Sequence, residues 1–172
     1  MRRKADSQQG FTFVELAVVL LILGVVAALA FPTIRSLSGS DLKLSARHLV
    51  RTVYFLTDRA AATKRIYRLN YDLERHEYWA TVRSGEEFVP VDATVFTRTK
   101  LPETVRFTDV IWKDQKRTEG EVYTDFYPVG RVDKTTLHLT DAESEGLTLV
   151  VNPMTGRIKV YDGYLEEIGK EG

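Results

Sequence analysis

The chain has 172 residues, with 24 basic and 24 acidic side chains, no cysteine, 44% hydrophobic and 28% charged residues. That is the length of one domain with an appendage and the composition of a folded protein, which excludes a disordered tail and a polytopic membrane protein. The missing cysteines exclude a disulfide scaffold, a thiolate metal site and a cysteine nucleophile. The zero net charge argues against a dedicated nucleic-acid binder, yet it hides a split: residues 1–68 are net +7 and residues 69–172 are net −7.

The first predicted element is the most informative. Arg2, Arg3 and Lys4 precede a polar spacer, and the run from Leu16 to Phe31 has no charged side chain. Counted from Phe11 the apolar stretch is 21 residues long and carries one charge, Glu15. At 1.5 Å per residue such a helix covers roughly 30 Å, the thickness of a bilayer's hydrocarbon core. Basic residues on the short side keep that end in the cytoplasm and leave the remainder outside. Other uses of the same residues remain open at this point. A secretory signal peptide would have the basic start and the apolar core, with Ala28-Leu29-Ala30 as its cleavage site. A plain signal anchor needs only the apolar run, and Thr12-Phe13-Val14-Glu15 fits a capping box at a helix start. A carboxylate at that depth nevertheless costs about 2.5–3.5 kcal/mol unless it is paired, which asks for a functional explanation.

Next in the chain, Pro32 is expected to interrupt and kink the helix, and Gly39 with its serine neighbours marks a second soft point. Leu42, Ala46, Leu49, Val53, Leu56 and Ala60 then recur at spacings of 4 and 3, one apolar stripe on a helix over 41–65, with Lys43, Arg47, Arg51 and Arg59 opposite. The rest reads as strands: 66–72 and 77–83 around a polar turn, then 93–99, 104–111, 121–127, 135–140, 147–152 and 157–161. Ser84-Gly85, Pro128 to Gly130, and Asn152 to Gly156 are the turn signals between them. The expected architecture is α+β, with the long helix packed on an antiparallel sheet or a two-sheet β-sandwich.

Gly10 followed by Phe11-Thr12-Phe13-Val14-Glu15 and the apolar run resembles the class III leader of type IV pilins and type II secretion pseudopilins. The resemblance implies that a membrane-embedded prepilin peptidase cuts between Gly10 and Phe11 and methylates the new amino terminus of Phe11. It also implies that Glu15 meets the amino terminus of a neighbouring subunit and sets the axial register. Later segments resemble the H-type minor pseudopilins and their pilus relatives, the GspH/FimT family: Ala46-Arg47 through Asp58-Arg59-Ala60-Ala61, Leu69-Asn70-Tyr71-Asp72 with Tyr78, Phe126-Tyr127-Pro128-Val129-Gly130, and Thr155-Gly156-Arg157-Ile158. Many pilus subunits close a carboxy-terminal loop with a disulfide, which this chain cannot do, and that favours the secretion branch. The organisation so implied is a leader at 1–10, a transmembrane and assembly helix at 11–35, its amphipathic second half at 36–65, and a β-rich periplasmic domain at 66–172. The implied partners are the major and minor tip pseudopilins, the prepilin peptidase and the inner-membrane assembly platform. The implied location is the inner membrane, crossed once.

Enzymatic chemistry is not expected, nor a cofactor or a metal. His48, His76 and His138 fall in a helix, a turn and a strand without a second ligand at metal spacing, and are expected as surface or half-buried residues. Asp141-x-Glu143-x-Glu145-Gly146 begins like a calcium loop but has Asn152 at the twelfth position, so an acidic hairpin turn is expected. A different class is favoured only by Gly156-Arg157-Ile158-Lys159, because some pilus relatives bind DNA through a basic carboxy-terminal turn. There Arg157 and Lys159 would contact phosphates, with Lys113, Lys116 and Arg117 adding charge. The surrounding half is net −7, which opposes it.

Overall fold

The computed structural model describes residues 13–91, 97–142 and 146–166, and of residues 27–40 the backbone only. The chain divides into two compact units, Met1–Leu37 and Ser38–Gly172. One helix, α1 (Phe13–Thr63), enters both. Pro32 and Gly39 lie inside α1 and do not end it. A proline removes one backbone hydrogen bond from a helix, a loss that one turn of a long helix can absorb. The element stops where Lys64 turns to a positive φ of 57°, the left-handed cap that ends many helices.

In the second unit the apolar stripe behaves as its spacing requires. Leu42, Ala46, Leu49, Val53, Leu56 and Ala60 are all buried, while Lys43, Arg47, Arg51 and Arg59 are exposed. The stripe shares one core with residues from two antiparallel sheets. Sheet A has the order β3-β2-β1-β7, with β4 also paired to β2, from β1 (Tyr67–Asp72), β2 (Glu77–Ser84), β3 (Glu87–Pro90), β4 (Thr99–Lys100) and β7 (Glu121–Phe126). Sheet B has the order β10-β9-β8-β5-β6, from β5 (Val105–Trp112), β6 (Gln115–Arg117), β8 (Thr135–Asp141), β9 (Gly146–Val151) and β10 (Ile158–Asp162). The expected α+β architecture is present in its two-sheet form.

Two short strands escaped the sequence pattern. In β3 the run Glu-Phe-Val-Pro is too short to alternate visibly, and β6 is wholly polar. The β5–β6 hairpin closes through Lys113 and Asp114, with φ of 49° and 60°. Two consecutive positive φ values define the tight hairpin turn normally signalled by Asn-Gly, so the usual sequence cue is missing. The strand expected at 93–99 falls largely on 92–96, outside the described residues; β4 begins at Thr99. Of the acidic turn, Asp141 ends β8 and Gly146 opens β9, and residues 143–145 lie outside the described ones.

Sheet A is tied crosswise by Arg68. Its guanidinium bonds both oxygens of Asp125 at 2.7 and 2.9 Å and sits 3.7 Å from the ring centres of both Phe88 and Tyr123. Gly156, in the turn between β9 and β10, lies close against α1. Its φ is +62°, and a Cβ there would stand 2.7 Å from Thr57 Cγ2. Only glycine satisfies both the turn and that contact.

Candidate functional site

Among the described residues, the start of α1 exposes a continuous run of apolar side chains. Val18, Val19, Leu20 and Leu21 point in four directions, since successive helical residues turn by about 100°, and they are 48%, 44%, 61% and 68% exposed. Eleven large apolar side chains between Phe13 and Val26 are exposed in this way. A helix apolar on every side is stable only in lipid or among other helices. Covering these side chains is worth on the order of 15 kcal/mol in sum at about 1.5 kcal/mol each.

Glu15 stands in the first turn of α1, where a carboxylate is favoured by the positive end of the helix dipole. Gly10 and Phe11, the expected cleavage pair, lie outside the described residues. Among the described residues, no helix is long and apolar enough to cross a membrane, and the described side chains of the apolar run stop at Val26.

The basic residues named for nucleic acid are not brought together. Arg157 precedes β10 and Lys159 lies on it, both exposed. Lys113, Lys116 and Arg117 belong to the β5–β6 hairpin, and β6 is the opposite edge of sheet B from β10. Four strand spacings separate the two edges, roughly 19 Å. Lys116 is also engaged elsewhere: its ammonium donates to Tyr164 Oη at 2.7 Å and lies 3.5 Å from Asp109. The Tyr164 hydrogen bond, together with the Asp109 charge, holds its pKa above the ordinary lysine value.

His138 corrects the expectation of a surface or half-buried histidine. It is fully buried, with Nδ1 at 2.6 Å from Asp109 Oδ1, and Tyr164 stacks on its ring at 4.1 Å and donates to Asp109 Oδ2 at 3.0 Å. A β-bulge between Phe107 and Asp109 causes this. It keeps Phe107 and Val110 in the core while turning Asp109 to the other face, opposite His138. Simple alternation gives no hint of that phase change. A buried histidine on a carboxylate supplies two of the three members of a catalytic triad, but here Nε2 donates to the carbonyl of Leu165 at 2.9 Å, where a nucleophile would have to sit. With Thr148 Oγ1 donating to Gly163 O at 2.7 Å, the pair clamps the segment 163–165 onto sheet B. His48 is exposed on α1, and His76 occupies the β1–β2 turn at φ 54°. Partial burial, with Arg106 nearby, lowers the His76 pKa from its ordinary value.

The geometry defines a class: a helix apolar on all sides at its start and amphipathic in its second half, followed by two antiparallel sheets, which is the pilin-like fold. Residues 6–31 match the family model described as the prokaryotic N-terminal methylation motif. No curated protein matches the sequence. Two solved structures of the minor pseudopilin EpsH of the type II secretion system of Vibrio cholerae are similar in fold. One has a TM-score of 0.57 at 11% identity, covering 71% of this chain and 97% of that one. The other has a TM-score of 0.59 at 12% identity, covering 74% and 98%. The chain therefore joins a prepilin-type methylation motif to the fold of a minor pseudopilin.

Proposed function

We propose that the chain is a minor pseudopilin of the H type, a structural subunit at or near the tip of the short periplasmic pseudopilus with which a type II secretion system exports folded proteins. One observation carries this: a methylation motif over 6–31 contains the start of a helix that is apolar on all sides from Phe13 to Val26, and that helix continues into a head with the pseudopilin fold. Prepilin peptidase cuts after Gly10 and methylates Phe11. The helix from Phe11 then holds the subunit in the inner membrane, crossing once, with the sheets in the periplasm. Glu15 pairs with the amino terminus of a neighbour, because neither an amine nor a carboxylate is stable alone in an apolar bundle. The subunit works by contact, with the inner-membrane assembly platform and with major and minor pseudopilins.

Mass spectrometry of the mature amino terminus tests the first step. N-methylated Phe11 is expected, and a chain starting at Phe31 would refute the proposal. Glu15→Ala is expected to be processed normally yet recovered in the assembled tip complex at a tenth or less of the parental level, since an unpaired buried amine costs more than about 1.4 kcal/mol. Deletion of the gene should stop exoprotein export; loss of twitching or transformation with export intact would move the chain to the type IV pilus branch.

A further inference from the structure

The last strand of sheet B runs out from under α1. Ile158, Val160 and Asp162 share the core-facing side of β10, opposite Val151, Leu149 and Leu147 of β9. Ile158 is buried, Val160 is 45% exposed and Asp162 is exposed. Between this uncovered end and α1 lies an open groove of about 410 Å³, floored by Val50 and Val160 and the buried Ala46 and Leu147. Its helical rim carries Lys43, Arg47 and Arg51, which at i, i+4 and i+8 form one row about 12 Å long. None of the three has an ion-pair partner among the described residues, although sheet B offers Asp162 in the same groove. Three like charges on one rim of an apolar trough repel one another and gain from an acidic occupant. Because β10 is an edge strand, the trough is open to another molecule along its outer side.

We infer that this groove between α1 and β10 is a docking surface for a neighbouring filament subunit, which fills it with a segment of apolar side chains flanked by several carboxylates. The apolar side chains continue the core that Ile158 ends, and the carboxylates meet Lys43, Arg47 and Arg51. Asp162 at the far rim repels carboxylates, so the acidic residues of the segment lie along the helix side. This inference rests on the pseudopilin proposal for the identity of the neighbour, and on the groove's own chemistry for what the neighbour presents.

The test is photocrosslinking in cells from the full chain carrying p-benzoylphenylalanine in place of Val160, with the linked peptide identified by mass spectrometry. Expected is a peptide from another pilin-type subunit with at least three Asp or Glu residues around apolar ones. The yield should fall at least about tenfold in the double variant Arg47→Glu, Arg51→Glu, since like charges across an interface cost several-fold in affinity each. Both arginines are exposed, so an unchanged thermal transition of the purified full chain in detergent certifies that variant's fold. Absence of a crosslink, a linked peptide without the acidic residues, label on lipid, or a yield unaffected by charge reversal would each overturn the inference. Such a failure with Phe11 correctly methylated leaves the pseudopilin proposal standing. A mature chain that begins elsewhere than Phe11 removes that proposal whatever the crosslink shows.

Discussion

The two ends of α1 are made of similar residues and live in opposite circumstances. Between Phe13 and Val26 the leucines and valines are exposed on every side, whereas Leu42, Ala46, Leu49, Val53, Leu56 and Ala60 form one stripe and are buried. The second half is held by its own head. The first half finds no cover among the described residues, and a helix apolar on all sides needs lipid or other helices around it.

The sharpest way to break this comparison is to make the same substitution in both halves. Leu49→Ala empties a fully buried site and should lower the unfolding free energy of the head by about 3 kcal/mol. Leu20→Ala should leave that transition within about 0.5 kcal/mol and act only on assembly. Denaturant titration of the full chain in detergent, followed by tryptophan fluorescence, reads both; equal effects would erase the distinction. A smaller effect is expected at the seam between helix and sheet. Gly156→Ala combines a left-handed φ with the clash on Thr57 and should cost about 2 kcal/mol, of which Thr57→Ala should return roughly 1. Full additivity of the two substitutions would mean that the contact does not pin α1. The smallest change is a control placed on the far edge of sheet B. Lys113→Asn relieves a left-handed lysine in the β5–β6 turn and should raise stability by a few tenths of a kcal/mol, leaving assembly untouched.

What the sequence made legible follows the same division. The stripe from Leu42 to Ala60 obeys a periodicity set by backbone geometry, so its burial could be read from spacing alone. All seven strands longer than four residues among the described residues begin and end within two residues of runs marked by β-branched and aromatic residues. Hidden features depended on tertiary detail. The bulge that turns Asp109 toward His138 leaves no compositional trace, and Lys113-Asp114 adopts a turn that its residue types do not advertise. Arg157, read as a charged residue of a turn, is preceded by a glycine whose role is steric, to let that turn close on Thr57. Of the candidate assembly residues, Glu15 announced itself as a charge out of place, whereas the row Lys43, Arg47 and Arg51 looked like an ordinary solvated face. Only the position of β10 beside it reveals an apolar floor.

Arg68 has a mechanical consequence. It joins β1 to Asp125 of β7 on one side and to Phe88 of β3 on the other, so one side chain spans the sheet across strands that are not neighbours in sequence. A sheet held only by its ladders can open one strand at a time from an edge, as a zipper does. With a crosspiece through its middle, sheet A must resist a load as a plate, giving way in one step at higher force. In the filament role proposed above, failing late and all at once would be an advantage.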